Sequence, residues 1–225
     1  MKPITVLLSE DHTIVCEGFR KMLELEGDFT IVGEAQDGRQ AVAMVKKFKP
    51  AVVLMDIAMP RLNGIEAVRQ ILKDFPATKI LMLSAHSDDA YVSTAIEAGA
   101  VGFLLKQTSA HEVCRAIREV AAGKTFFTAS IARHFDRLNP QLSNRTGKLN
   151  TKAVQLTSRE MEVLQLIAEG KANKEVAAEL CIGIKTVEKH REHLMQKLDI
   201  HDTAGLTRYA IGAGVIESSV QVTIV

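Results

Sequence analysis

Residues 50–64 read "PAVVLMDIAMPRLNG". A near-continuous apolar run ends on one carboxylate, Asp56, and a Met-Pro and an Asn-Gly follow at once. Val, Leu and Met without in/out alternation describe a strand buried on both faces, as in a parallel sheet covered by helices. Asp56 then stands at the carboxyl end of that strand. Open α/β sheets bind their ligands just outside this edge.

Short runs of the same kind lie on either side: "ITVLL" (4–8), "FTIVGEA" (29–35), "KILMLSA" (79–85) and "VGFLL" (101–105). They alternate with segments whose apolar residues recur at helical spacing, such as "HTIVCEGFRKMLELEG" (12–27) and "NGIEAVRQILKDF" (63–75). This alternation predicts a doubly wound, five-stranded parallel sheet of flavodoxin-like type over residues 1–120.

At 225 residues the chain has room for two domains, and 47% apolar with 24% charged residues is ordinary for a globular protein. Cys16, Cys114 and Cys181 are few, odd in number and far apart, which argues against a disulfide framework or a clustered zinc site. "MKPITVLLSEDH" lacks the apolar core of a signal peptide, and no run approaches the ~20 residues of a membrane span. The cytoplasm is the expected compartment, with no membrane partner.

The strand ends carry a chemistry of their own. Glu10 and Asp11 follow the first run, Asp56 the third, Ser84 the fourth and Lys106 the fifth. Each has a plainer reading in isolation. An Asp after a strand often caps a turn, a lone Lys is usually solvated, and acids suit a helix start. Their coincidence at strand carboxyl ends of one sheet points instead to a shared pocket. Clustered carboxylates repel, and a Mg²⁺ ion with oxygen ligands would relieve them beside a phosphate. Asp56 could then act as nucleophile toward a phosphoryl group, with Lys106 and the ion neutralising its oxygens and Ser84 hydrogen-bonding one.

With Glu10-Asp11, "LMDIAMPRLNG", "LSA" and Lys106 three residues after Phe103, residues 1 to about 120 resemble a CheY-like receiver domain of bacterial two-component signalling. The resemblance implies phosphorylation of Asp56 by a sensor histidine kinase, with Mg²⁺ held by Asp11, Asp56, the backbone carbonyl of Ala58 and, less directly, Glu10. It also implies that Ser84 and Phe103 are the switch residues, Phe103 swinging inward as Ser84 moves. Two departures stand out: Gln107 replaces the proline that often follows the lysine, and the acidic pair is Glu-Asp in place of Asp-Asp. Aspartate-nucleophile hydrolases share the opening chemistry but need a second Asp two residues on, where Ala58 stands. Without that proton shuttle the chain is expected to accept a phosphoryl group and lose it slowly, and not to turn over as an enzyme.

Beyond residue 120 the rhythm changes. "AAGKTFFTASIARHFDRL" reads as helix and turn, and "NPQLSNRTGKLNTK" as a polar linker, so residues 121–153 form an interdomain segment and 154–225 a second domain. In "LTSREMEVLQLIAEG", Thr157 and Glu160 have capping-box spacing and Leu156 and Met161 suit a hydrophobic staple. Met161, Val163, Leu164, Ile167 and Ala168 supply a buried stripe, and Gly170 a stop. "NKEVAAEL" predicts a second helix and "CIGIKTVEKHREHLMQKL" a turn and a third. On that third helix Val187, Leu194 and Leu198 share one side, Lys185, Lys189, Glu192 and Gln196 the other.

Residues 154–216 resemble the LuxR-type helix-turn-helix domain, and nearly the whole chain is similar to a NarL/FixJ-type response regulator. The resemblance implies that Lys185, Thr186, Glu188, Lys189, His190 and Arg191 meet DNA, with Lys174 near phosphates. It implies too that "TAGLTRYAIGAG" forms the contact of a homodimer on operator half-sites when Asp56 is phosphorylated, and that RNA polymerase is a further partner. Gly183 stands where a Ser or Thr often caps the recognition helix, and Glu188 and Glu192 put acids on the groove face. The second domain carries eight basic against ten acidic residues, so a monomer should hold DNA weakly. Two rival readings remain: a receiver that works without phosphate, and a second domain that binds protein.

Overall fold

The structure of the protein is a computed structural model describing residues 3–85, 89–127 and 156–216. The chain forms two compact units, Met1–Lys152 and Ala153–Val225.

In the first unit β1 (Ile4–Ser9), β2 (Phe29–Ala35), β3 (Val52–Asp56), β4 (Lys79–Ser84), β5 (Gly102–Leu105) and β6 (Phe126–Phe127) alternate with α1 (Thr13–Glu26), α2 (Gly38–Phe48), α3 (Gly64–Asp74), α4 (Asp89–Glu97) and α5 (Ala110–Ala121). All strands are parallel, in the order β2-β1-β3-β4-β5-β6. The strand order reverses beside β1 and β3, so the crevice at their carboxyl ends is the expected binding position. Every residue of β3 is buried. Leu7, Val53, Met55 and Ile80 pack on one face of the sheet, and Val6, Val52, Leu54 and Leu81 on the other.

The sheet has six strands where five were expected. Two residues are too short a run to read as a strand, but Gly102 makes the pairing possible: a Cβ there would come within 2.6 Å of the Phe126 carbonyl oxygen. Phe126 is thereby buried against the α5 side of the core. The rest of the expected interdomain segment lies outside the described residues.

The second unit holds α6 (Ser158–Ala168), α7 (Asn173–Glu179), α8 (Ile184–Leu198) and α9 (Thr203–Gly212). The capping box at Thr157 forms as expected, the Thr157 hydroxyl accepting from the Glu160 amide and the Glu160 carboxylate accepting from the Thr157 amide at 2.8 Å. Val163, Leu164 and Ile167 bury as the stripe predicts, while Met161 and Ala168 are only partly covered and Leu166 is wholly buried. No helix among the described residues is long and apolar enough to cross a membrane.

Candidate functional site

Each acidic residue of the pocket is held by its strand. Asp56 ends β3, and its backbone meets the start of α3 so closely that a Cβ on Gly64 would lie 1.9 Å from the Asp56 carbonyl oxygen. The Asn-Gly pair thus has two separate duties: Asn63 caps α3 by accepting from the Glu66 amide at 2.9 Å, and Gly64 permits the close approach. The Gly64 amide donates to the Ile57 carbonyl at 2.8 Å, which closes the loop beneath Asp56. Lys106, just past β5, is fixed through its backbone by donation to the Ser84 carbonyl at 2.8 Å. The bond between Lys106 and Gln107 is trans.

The structure brings Glu10, Asp56 and Lys106 together. The Lys106 ammonium lies 3.0 Å from Oδ2 of Asp56 and 2.9 Å from Oε2 of Glu10. Glu10, Asp56 and Ser84 are all buried, Asp11 and Ala58 half-buried. Burial, and after it the negative charge of Glu10, pushes Asp56 up to about 7 against the opposing pull of Lys106. Burial likewise raises Asp11. For Lys106 burial works against the charge, but Asp56 and Glu10 outweigh it and its pKa is raised. Oε2 of Glu10 and Oδ2 of Asp56 share the single Lys106 ammonium, and among the described residues Oδ1 of Asp11 meets only Nδ1 of His12. Three carboxylates gathered around one ammonium fit a divalent cation, which prefers oxygen ligands.

His12 is the residue that sequence reasoning missed. Its Nδ1 stands 2.9 Å from Oε1 of Glu10 and 2.9 Å from Oδ1 of Asp11. The Glu10 hydrogen bond, then Asp11, raises its pKa. The only available signal was adjacency, in "SEDH".

Phe103 on β5 is wholly buried in the core of the sheet.

Residues 6–118 match the family model described as response regulator receiver domain, and residues 154–210 the one described as bacterial regulatory proteins, luxR family. The chain belongs to the response regulators that join a receiver to a LuxR-type helix-turn-helix domain. Transcriptional regulatory protein LiaR of Bacillus subtilis (strain 168) is 39% identical to it over 208 residues, 92% of this chain and 96% of LiaR. The solved structure of the Salmonella typhimurium RcsB response regulator matches with a TM-score of 0.63 at 26% identity, covering 95% of this chain and 99% of RcsB. An RcsB–DNA complex matches with a TM-score of 0.57 at 27% identity, covering 92% and 98%.

In this response regulator the second candidate surface is the outer side of α8. Val187 and Leu194 are wholly buried against the helical core and Leu198 partly so, while Lys185, Thr186, Glu188, Lys189, Glu192 and Gln196 are exposed. Lys174 is exposed on α7. Gly183 caps α8 with no side-chain bond, as its identity requires. His190 and Arg191 are half-buried. Arg191 donates to Oδ1 of Asn173 at 3.2 Å and to Oγ1 of Thr203 at 2.6 Å, tying α8 to the first residues of α7 and α9. On α9, Leu206 and Ala210 face the core, and Ala204, Arg208 and Ile211 are exposed.

Proposed function

We propose that Asp56 accepts a phosphoryl group from the phosphohistidine of a sensor histidine kinase, and that the modified chain pairs on DNA half-sites to regulate transcription. An Oδ of Asp56 attacks phosphorus, the P–N bond breaks and its electron pair returns to the kinase imidazole. The observation that carries this reading is the Lys106 ammonium bridging Asp56 and Glu10. It keeps part of the nucleophile ionised in a buried site and stands ready to pair with a phosphoryl oxygen. Ser84, buried at the end of β4, is positioned to donate its hydroxyl to another.

Asp11, Asp56 and the Ala58 carbonyl, with Glu10 behind them, are the residues that would hold Mg²⁺. When bound, the ion supplies positive charge for the phosphoryl oxygens. On the second domain Lys185, Thr186, Glu188, Lys189 and His190 are offered to the major groove, Lys174 and Arg191 to phosphates, and the exposed side of α9 to a second copy. The likeness to RcsB, solved with DNA, supports that assignment. Because the domain carries more acid than base, pairing on two half-sites adds the phosphate contacts that one copy lacks.

Intact-mass measurement after incubation with acetyl phosphate and Mg²⁺ tests the first step: one phosphoryl mass is expected on the wild-type chain and none on Asp56→Asn. A mobility-shift titration tests the second, with tighter DNA binding expected after modification. The second reading is a receiver that works without phosphate. Equal DNA affinity with and without acetyl phosphate would select it.

A further inference from the structure

The corner between α7 and α8 is poorly specified by its own residues. Leu180 ends α7, and the Ile182 amide donates back to the Ala177 carbonyl at 3.0 Å, a closure that holds Cys181 in the left-handed region at φ 52°. Glycine adopts that conformation freely, and a cysteine does so at a cost. Gly183, two residues on, opens α8 without a side-chain cap. The two local signals that would fix the direction of α8 are therefore both weak.

A residue of α6 supplies what the corner lacks. Arg159 donates from one guanidinium nitrogen to the Leu180 carbonyl at 2.9 Å and from another to Oε2 of Glu162 at 2.9 Å. Glu162 is buried, so the guanidinium is anchored in the body of the domain before it reaches the corner. Near the far end of α8 the Lys197 ammonium meets Oε2 of Glu160 at 2.6 Å. Two neighbouring residues of α6 thus hold the recognition helix at both ends.

We infer that Arg159 is a positioning residue for DNA reading: by holding the Leu180 carbonyl it keeps Cys181 left-handed and sets the angle at which α8 presents Lys185, Thr186, Glu188 and Lys189. This rests on the DNA-binding reading above and adds to it a residue that acts through the helix and not by contact with a base. Readout of base edges tolerates little misplacement of the side chains that make it, whereas phosphate contacts carry no sequence information. Loss of the tether therefore falls on specific binding and spares non-specific binding.

The test uses the full chain treated with acetyl phosphate and Mg²⁺, and two duplexes: one enriched by the wild type from a randomised pool, and a shuffled version of it. Arg159→Gln should weaken binding to the enriched duplex about tenfold and to the shuffled one by less than about twofold. Cys181→Gly lets the corner take its left-handed turn unaided, so adding it to Arg159→Gln should recover most of the loss. Arg159→Lys keeps the charge without the two-pronged geometry and should fall between Arg159→Gln and the wild type. It also stands in should Arg159→Gln fail to fold in thermal melts, with Cys181→Gly then added to it. Equal losses on both duplexes, or no loss, overturn the proposal, and so does a double variant no better than its Arg159 parent. Full retention by Arg159→Lys overturns it too, because charge alone would then suffice. A wild-type chain that enriches no sequence defeats the DNA-binding reading itself, and this inference with it.

Discussion

Lys106 stands between Asp56 and Glu10, 3.0 Å from an oxygen of the first and 2.9 Å from one of the second, at a site where both carboxylates are almost wholly buried. One ammonium thus compensates two acids that water does not reach. Lys106→Ala leaves both uncompensated and should cost on the order of 3 kcal/mol in urea unfolding at neutral pH. It should also push the Asp56 titration still higher and slow modification by acetyl phosphate at pH 7. An unfolding midpoint equal to that of the wild type would show that the bridge carries no such weight.

Asp56→Asn is expected to stabilise the chain, with a defined pH signature. The Asp56 carboxyl has a folded pKa of about 7 against 3.8 for the ordinary group. A raised folded value means stability that is complete below pH ~4 and lost as pH rises through ~7, because the unfolded chain ionises first. The variant escapes this loss. Its advantage should be absent at pH 4, open between pH ~4 and ~7, and level off above at on the order of 1–3 kcal/mol. Divalent cation should narrow the gap by stabilising the wild type alone. Thermal melts of both chains across that range are the measurement.

Two glycines should respond oppositely to a methyl group. A Cβ on Gly64 meets the Asp56 carbonyl oxygen at 1.9 Å, backbone that cannot move without shifting the nucleophile. Gly64→Ala should destabilise by about 2–4 kcal/mol and depress phosphorylation together. Gly18, inside α1, has nothing within 4 Å, so Gly18→Ala should stabilise by about 0.5–1 kcal/mol and leave phosphorylation alone.

On α8 the two cationic positions Lys189 and Arg191 should separate. Lys189 is exposed, and Lys189→Ala should weaken DNA binding and leave the melting temperature unchanged. Arg191 ties α8 to Asn173 and Thr203, so Arg191→Ala should lose about 1 kcal/mol of domain stability as well as affinity. Fluorescence anisotropy over a salt series, beside thermal melts, distinguishes the two.

Much of this architecture was legible in residue order. Short unalternating runs such as 51–57, bounded by Pro50 and Asn63-Gly64, read as strands covered on both faces, and Thr157 with Glu160 marks a helix start by local bonds alone. These signals are short-range, so they survive without knowledge of the fold. The pocket could be anticipated as well, because parallel strands with helical crossovers send their carboxyl ends to one edge, and Glu10, Asp11, Asp56, Ser84 and Lys106 all sit there.

Other features were decided by residues far apart in the chain meeting in space. Phe126–Phe127 becomes a strand only because Gly102 lets another backbone approach, and Gly64 is required only because α3 begins against the Asp56 carbonyl. Arg191 gives no sign on a helical wheel of what braces it, yet Asn173 and Thr203, eighteen residues before it and twelve after, accept from its guanidinium. Residue order alone does not show that Nδ1 of His12 stands 2.9 Å from both Glu10 and Asp11. Periodicity and capping are written into neighbouring residues, whereas close approach and convergence exist only once distant backbones have packed.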